Sequence, residues 1–162
     1  MAESYAEIAR AEALFHAAYE HQLRGELERA EDLYKRSIAA HPTAESHTFL
    51  GWVMSLQGRY VEAIHQCKEA IRLDPEFGNP YNDIGAYCIE LGRHTEARDW
   101  LRRAIEAPRY GARHFPHANL GRVHEVEGDW QDALAEYGRA LELSPGFAVA
   151  QQAIVRLRAR LN

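Results

Sequence analysis

The stretch Ala118–Pro145, ANLGRVHEVEGDWQDALAEYGRALELSP, decides the fold. Two helical patterns flank Gly128-Asp129. The second carries Ala133, Tyr137, Ala140 and Leu141, spaced three and four apart, which is one face of a helix. Gly128 can take the left-handed conformation that closes a helix, and Asp129 can then cap the next one. The stretch therefore reads as a helical hairpin. Its apolar face is too broad for the hairpin to cover alone, so it predicts neighbours of the same kind.

Three such neighbours lie upstream. Ser4 to Glu7 reads as a capping box that starts a long first helix, running to about Leu23 and stopped by Gly25. A second helix spans about Glu26 to Ala40, before Pro42. The next pair covers about Ala44–Gln57 and Tyr60–Leu73, broken at Gly58 and stopped by Pro75. The third covers about Pro80–Leu91 and His94–Ala107, broken at Gly92 and stopped by Pro108, with Asn79 as cap and Pro80 in the first turn. The fourth starts near Pro116 and ends by Ser144. Phe147 to Leu161 makes one more helix without a partner. The break glycines Gly25, Gly58, Gly92 and Gly128 are 33, 34 and 36 residues apart. Five residues after each comes Ala30, Ala63, Ala97 or Ala133, where two helices of a hairpin touch and only a small residue fits. A period of this size means a stacked repeat array.

The repeats resemble the tetratricopeptide repeat (TPR) family, whose pattern is a Trp-type residue, Leu-Gly, an aromatic, then Ala, an aromatic and Pro. The fourth repeat matches with His117, Leu120, Gly121, His124, Ala133, Tyr137 and Pro145. The third matches with Tyr81, Ile84, Gly85, Cys88, Ala97 and Leu101, its Pro108 one residue early. The second matches with His47, Leu50, Gly51, Met54, Ala63, Cys67 and Pro75. The first is weakest, with Leu14, Ala17, Ala18, His21, Ala30, Tyr34 and Pro42. The resemblance implies an all-α, right-handed α-solenoid. Four TPR hairpins, at about 11–43, 44–77, 78–111 and 114–147, would form a single domain over 1–162. A C-terminal capping helix at about 147–161 would complete it. There Ile154 and Val155 fall where a fifth repeat would place Leu-Gly, and Arg156, Arg158 and Arg160 would cover the outward side.

Composition narrows the function. The chain has 162 residues, 27% charged and 46% hydrophobic, with a net charge of −5, which argues against a general nucleic-acid-binding surface. The apolar runs are too short for a membrane span. No signal-peptide pattern opens the chain, and Cys67 and Cys88 read as reduced, buried thiols, so the expected location is cytoplasmic. Among the histidines, His114, His117 and His124 form the best candidate ligand group. His117 and His124 occupy packing columns, however, and no Cys-x-x-Cys or His-Glu-x-x-His accompanies them, so no metal site is expected. Nor is a cofactor or a catalytic site: the glycines are single and periodic, and no catalytic triad order can be defended. PRYGAR, Pro108–Arg113, holds the two extra residues between repeats three and four. It is read as a solvated longer turn, with a contact loop beside the groove as the other reading.

In the family resembled, the first helix of each repeat lines a concave groove that binds a protein partner. Carrying the family's groove columns onto this chain gives Phe15, His16 and Tyr19; then Glu45, Thr48, Phe49 and Trp52. Repeat three gives Asn79, Asn82, Asp83 and Ala86, and repeat four gives Phe115, Ala118, Asn119 and Arg122. The groove should be aromatic at one end and polar at the other. Trp52, beside Tyr19 and Phe49, resembles a binding anchor, and Asn82 and Asn119 suit an extended peptide backbone. The resemblance also argues against a carboxylate clamp, because Phe15, Asn79 and Tyr19 stand where that clamp needs two lysines and an asparagine. The implied function is a non-enzymatic adaptor binding a peptide or helix. A self-assembling scaffold, joining acidic Glu3, Glu7 and Glu12 head-to-tail to the C-terminal arginines, is the second reading. A secretion-type chaperone is the third.

Overall fold

The structure, a computed structural model, describes residues 2–161. Among them are nine α-helices: α1 (Ala2–Leu23), α2 (Leu27–Ala40), α3 (Ala44–Leu56), α4 (Tyr60–Leu73), α5 (Asn79–Glu90), α6 (His94–Glu106), α7 (His114–Glu127), α8 (Trp130–Leu143) and α9 (Ala148–Leu161). They pair as α1·α2, α3·α4, α5·α6 and α7·α8, and each pair packs on the next. Successive first helices also touch, α3 on α5 and α5 on α7. They therefore form one continuous layer.

Every hairpin closes the same way. Gly25, Gly58, Gly92 and Gly128 have φ of 76°, 75°, 72° and 83°. The amide after each glycine reaches five residues back, from Glu26 to the His21 carbonyl (3.0 Å), Arg59 to Met54 (3.0 Å), Arg93 to Cys88 (2.8 Å) and Asp129 to His124 (2.9 Å). These are Schellman turns, in which backbone alone satisfies the open end of a helix. Asp129 stands at the cap position of α8, yet its side chain makes no capping bond, and the same is true of Glu26, Arg59 and Arg93. The turn serves the carbonyl end of the preceding helix, and the expected side-chain cap of the next helix is not made. Two further caps differ from the sequence reading. The first helix begins at Ala2, so Ser4 and Glu7 lie inside it rather than at its mouth. The third repeat is capped by Gly78, which makes Asn79 the first helical residue.

The register of the repeats is set where the helices of a hairpin touch. Ala30, Ala63, Ala97 and Ala133 are all fully buried. Across from them the small residue of Leu-Gly faces the second helix. A methyl group at Gly121 would meet the Tyr137 ring at 2.8 Å, and one at Gly85 would meet Leu101 at 2.5 Å. At Gly51 it would meet the Ala63 carbonyl at 3.0 Å. Ala18 takes this position in the first repeat and is also buried. Cys67, on α4, and Cys88, on α5, are buried free thiols. Burial pushes Cys67 well above the ordinary thiol value and Cys88 up to about 11, so both remain protonated near neutrality.

Helix α9 closes the array with Ala150, Ala153 and Leu157, which pack with Ala118, Tyr137 and Ala140. Ile154 is half-buried, whereas Val155 is exposed. The arginines do not all face outward as expected. Arg156 turns back to hold both oxygens of Glu125 at 2.6 and 2.9 Å, and the Arg160 guanidinium lies 4.8 Å from the Trp130 ring centre. Removing residues 147–162 would expose the Ala118–Tyr137–Ala140 surface. The truncated chain is expected to self-associate at concentrations where the full chain does not, read by light scattering. A truncation that stays monomeric would show that α9 covers no essential face.

Candidate functional site

The layer of first helices carries all nine residues singled out for the groove, and the structure links them into one connected surface. Phe49, Trp52, Asn82, Asp83 and Phe115 line a single cavity of about 390 Å³, together with Thr48, Ser55, Asn79, Ala86, Tyr87, Tyr110 and Ala112. Phe15 and Tyr19 join it through the Phe49 ring, at centroid distances of 5.2 and 5.7 Å, and Trp52 stands edge-on to Phe49 at 5.8 Å. Edge-to-face contacts of this kind are a favoured arrangement of aromatic rings. Trp52 nonetheless remains 42% exposed and Phe115 43%. The N-terminal part of α1 therefore does not cover the indole.

Asn119 and Arg122 join from α7 by hydrogen bonds. Arg122 donates to the Asn119 carbonyl (3.3 Å), Asn119 donates to the Asn82 carbonyl (3.1 Å), and Asn82 donates to Asp83 (3.4 Å). Arg122 also pairs with Glu90 at 2.7 Å. This differs from the sequence reading, which left both amides free for a ligand. Asn82 is buried, and its side-chain carbonyl is already bonded to the next repeat. The amides run from repeat to repeat although they stand in adjacent columns, Asn119 being equivalent to Asp83 rather than to Asn82.

The far end of the groove is also less polar than expected. Phe115 stacks on His114 at 4.2 Å and meets Phe147, from the turn before α9, at 5.4 Å. Burial lowers the His114 pKa, which favours a neutral ring.

Four cavity residues, Ser55, Tyr87, Tyr110 and Ala112, lie outside the groove columns read from the sequence. Tyr110 comes from the 108–113 segment, which is not a solvated turn. Arg109 and Phe77 form a parallel bridge, with Gly78 donating to the Arg109 carbonyl and Arg109 to the Glu76 carbonyl, both at 3.0 Å. Arg113 caps the end of α6 by donating to the Ile105 (2.9 Å) and Ala107 (2.7 Å) carbonyls. Tyr110 is thereby buried against Gly78, where a methyl group would meet its Cβ at 2.3 Å. The loop is thus a wall of the groove.

Asp83 is the one charged side chain among the residues lining the cavity. Burial pushes its carboxyl up to about 7, against a smaller lowering from the Asn82 amide. No salt bridge to it is formed by the described residues.

The histidines act within the hairpins. His117 meets Glu136 at 2.7 Å and His47 meets Gln66 at 2.8 Å. His124 comes together not with His114 and His117 but with Glu127 and Asp129, their nearest ligand atoms lying within 4.8 Å. Both acidic residues of that group are exposed, as is common for acidic groups without an ion.

An array of helical hairpins whose first helices share one grooved layer is an α-solenoid scaffold. The models described as Tetratricopeptide repeat match residues 44–77, 79–109 and 114–147, and the chain belongs to that family. It is accordingly a protein–protein interaction scaffold by family. Among curated proteins it is similar to the TPR repeat-containing thioredoxin TTL4 of Arabidopsis thaliana, 24% identical over 73% of this chain and 18% of that protein. It also resembles the inactive TPR repeat-containing thioredoxin TTL3 of the same plant, 25% identical over 83% of this chain and 21% of that protein. The chain thus spans only about a fifth of these relatives. Among solved structures, Pseudomonas aeruginosa PilF superposes with a TM-score of 0.87 at 20% identity, covering 96% of this chain and 70% of that one. YrrB, described as a TPR protein with an unusual peptide-binding site, superposes with a TM-score of 0.67 at 24% identity, covering 91% and 75%. Among the described residues, no helix is long and apolar enough to cross a membrane.

Proposed function

We propose that this chain is a non-enzymatic adaptor that binds a peptide or helical segment of a partner protein along the layer of first helices. The observation that carries this reading is Trp52. Trp52 is 42% exposed, its ring meets Phe49 at 5.8 Å, and it lines the same cavity as Phe115. A large aromatic side chain left partly in water beside a cavity has apolar area to bury against a partner, which is the character of an interface anchor. That the structurally similar YrrB is described as having a peptide-binding site is consistent with this use of the scaffold.

Against a bound partner, Trp52→Ala is expected to weaken affinity by about 2 kcal/mol or more, a hot-spot-sized loss. Titration calorimetry measures it, and thermal melts of the free protein should stay close to wild type. If Trp52→Ala unfolds the chain while binding per folded molecule is intact, Trp52 belongs to the core and the groove is not the binding surface. The head-to-tail scaffold is the weaker reading. Arg156 and Arg160 are engaged within repeat four and α9, and the Glu3 side chain lies outside the described residues.

A further inference from the structure

We propose that the groove cavity selects a partner segment bearing a basic residue, whose cationic side chain enters between Trp52 and Phe115 and pairs with Asp83. This rests on the groove reading above and specifies what the groove recognises.

The walls favour a cation on three separate grounds. First, the lining residues include one carboxylate and no lysine, arginine or histidine, so the charge of Asp83 has no counterpart in the cavity. The only side-chain donor bonded to it among the described residues is its sequence neighbour Asn82, at a long 3.4 Å.

Second, two neutral polar groups on the wall have already spent their donors. Thr48 gives its hydroxyl hydrogen to the Ala44 carbonyl (2.7 Å) and Ser55 gives its own to the Trp52 carbonyl (2.7 Å). Both oxygens keep only lone pairs for a ligand. These two oxygens and the Asp83 carboxylate are acceptors on one lining, which suits a ligand group made of donors, such as guanidinium or ammonium.

Third, Phe49, Trp52 and Phe115 present ring faces or edges around the same opening. Aromatic faces attract a cation and repel a carboxylate. The methylenes of an arginine or lysine stem can lie on these rings while the charged head reaches inward. The overall charge of −5 acts in the same direction at longer range.

The carboxylate is retained where burial disfavours it. Asp83 is faced by the Cys67 thiol from α4, by the Tyr87 phenol of its own helix and by the Tyr110 phenol of the linker, and burial raises the pKa of all three. None of them carries a positive charge to compensate it. An incoming cation supplies what the wall lacks.

The test uses a displayed library of random linear peptides selected against the full chain. The enriched peptides are then synthesised with arginine or lysine, and again with the neutral isostere citrulline at the basic position. Peptides whose binding falls with Trp52→Ala are expected to share one basic residue. Citrulline at that position should weaken them by at least about tenfold. On Asp83→Asn, the arginine and citrulline peptides should bind within about twofold of each other, because the charge they differ in has lost its partner. Trp52-dependent peptides that carry no basic residue, or that tolerate citrulline, overturn the pairing and leave the groove reading standing. A citrulline loss that persists undiminished on Asp83→Asn assigns the cation to another group and equally overturns it. A selection yielding no Trp52-dependent peptide sinks the groove reading and the pairing with it.

Discussion

Asp83→Asn is expected to stabilise the free protein at pH 8 and to leave it nearly unchanged at pH 4. The unfolded chain gives up the Asp83 proton near the ordinary value of 3.8, whereas the folded chain holds it to about 7. Between those values the native state binds more protons than the unfolded state. Stability due to this group therefore falls as pH rises from about 4 to about 7 and is constant above. Asparagine has nearly the same shape and no charge, so it removes the penalty without opening a cavity. Asp83 keeps some contact with solvent, which reduces the effect below that of a fully buried carboxylate. A gain of about 1–3 kcal/mol at pH 8 follows from the size of the shift. Denaturant melts of both chains at pH 4, 6 and 8 measure it. An equal difference at every pH would mean that the carboxylate is solvated in the folded state. A position where the natural side chain destabilises its own fold is more readily understood if a ligand needs that side chain.

Ala97→Leu is expected to cost about 1–3 kcal/mol, the range for forcing extra methylenes into a packed contact. Ala97 is fully buried, and its carbonyl faces Gly85 across the α5–α6 hairpin. The space that a larger side chain would need is already filled, because Leu101 on the same helix lies 2.5 Å from where a Gly85 methyl would stand. The helices can accept the leucine only by moving apart. That would loosen the wall carrying Asn82, Asp83 and Tyr87. The measurement is a thermal melt, with a shift of about 2–4 °C per kcal/mol for a chain of this size. Leucine accommodated without loss would mean that the two helices are not held at the Gly85–Ala97 contact.

The hairpins were legible in the sequence because their joints are made by backbone and by small residues. A glycine at positive φ and an alanine five positions on are features of residue type and spacing, and both survive translation into coordinates. The groove was legible as a set of columns for the same reason. What the sequence could not show was how neighbouring columns spend their hydrogen bonds. Asn82 and Asn119 are 37 residues apart, and that they bond each other depends on how closely α5 approaches α7. No periodicity signals it, because Asn119 falls in the column of Asp83, one position on from Asn82. Tyr110 gave no signal either. Its burial depends on Gly78 in a different linker, a pairing that no periodicity encodes. The caps failed for a simpler reason. Asp129 stands where a capping residue should be, but at φ −84° and ψ 66° it lacks the extended backbone with which Thr43 caps α3.

The bridge between Phe77 and Arg109 has a mechanical consequence. A stack of hairpins bends mainly by changing the distance between one inter-repeat linker and the next. Here the linker after α4 and the linker after α6 are stitched by two backbone bonds, clasped by the Arg109–Asp74 ion pair and locked by Tyr110 in the notch over Gly78. The spring is therefore pinned at one coil. The two backbone bonds, the ion pair and the buried ring resist separation of these two linkers, so bending of the array falls more easily in the coils on either side.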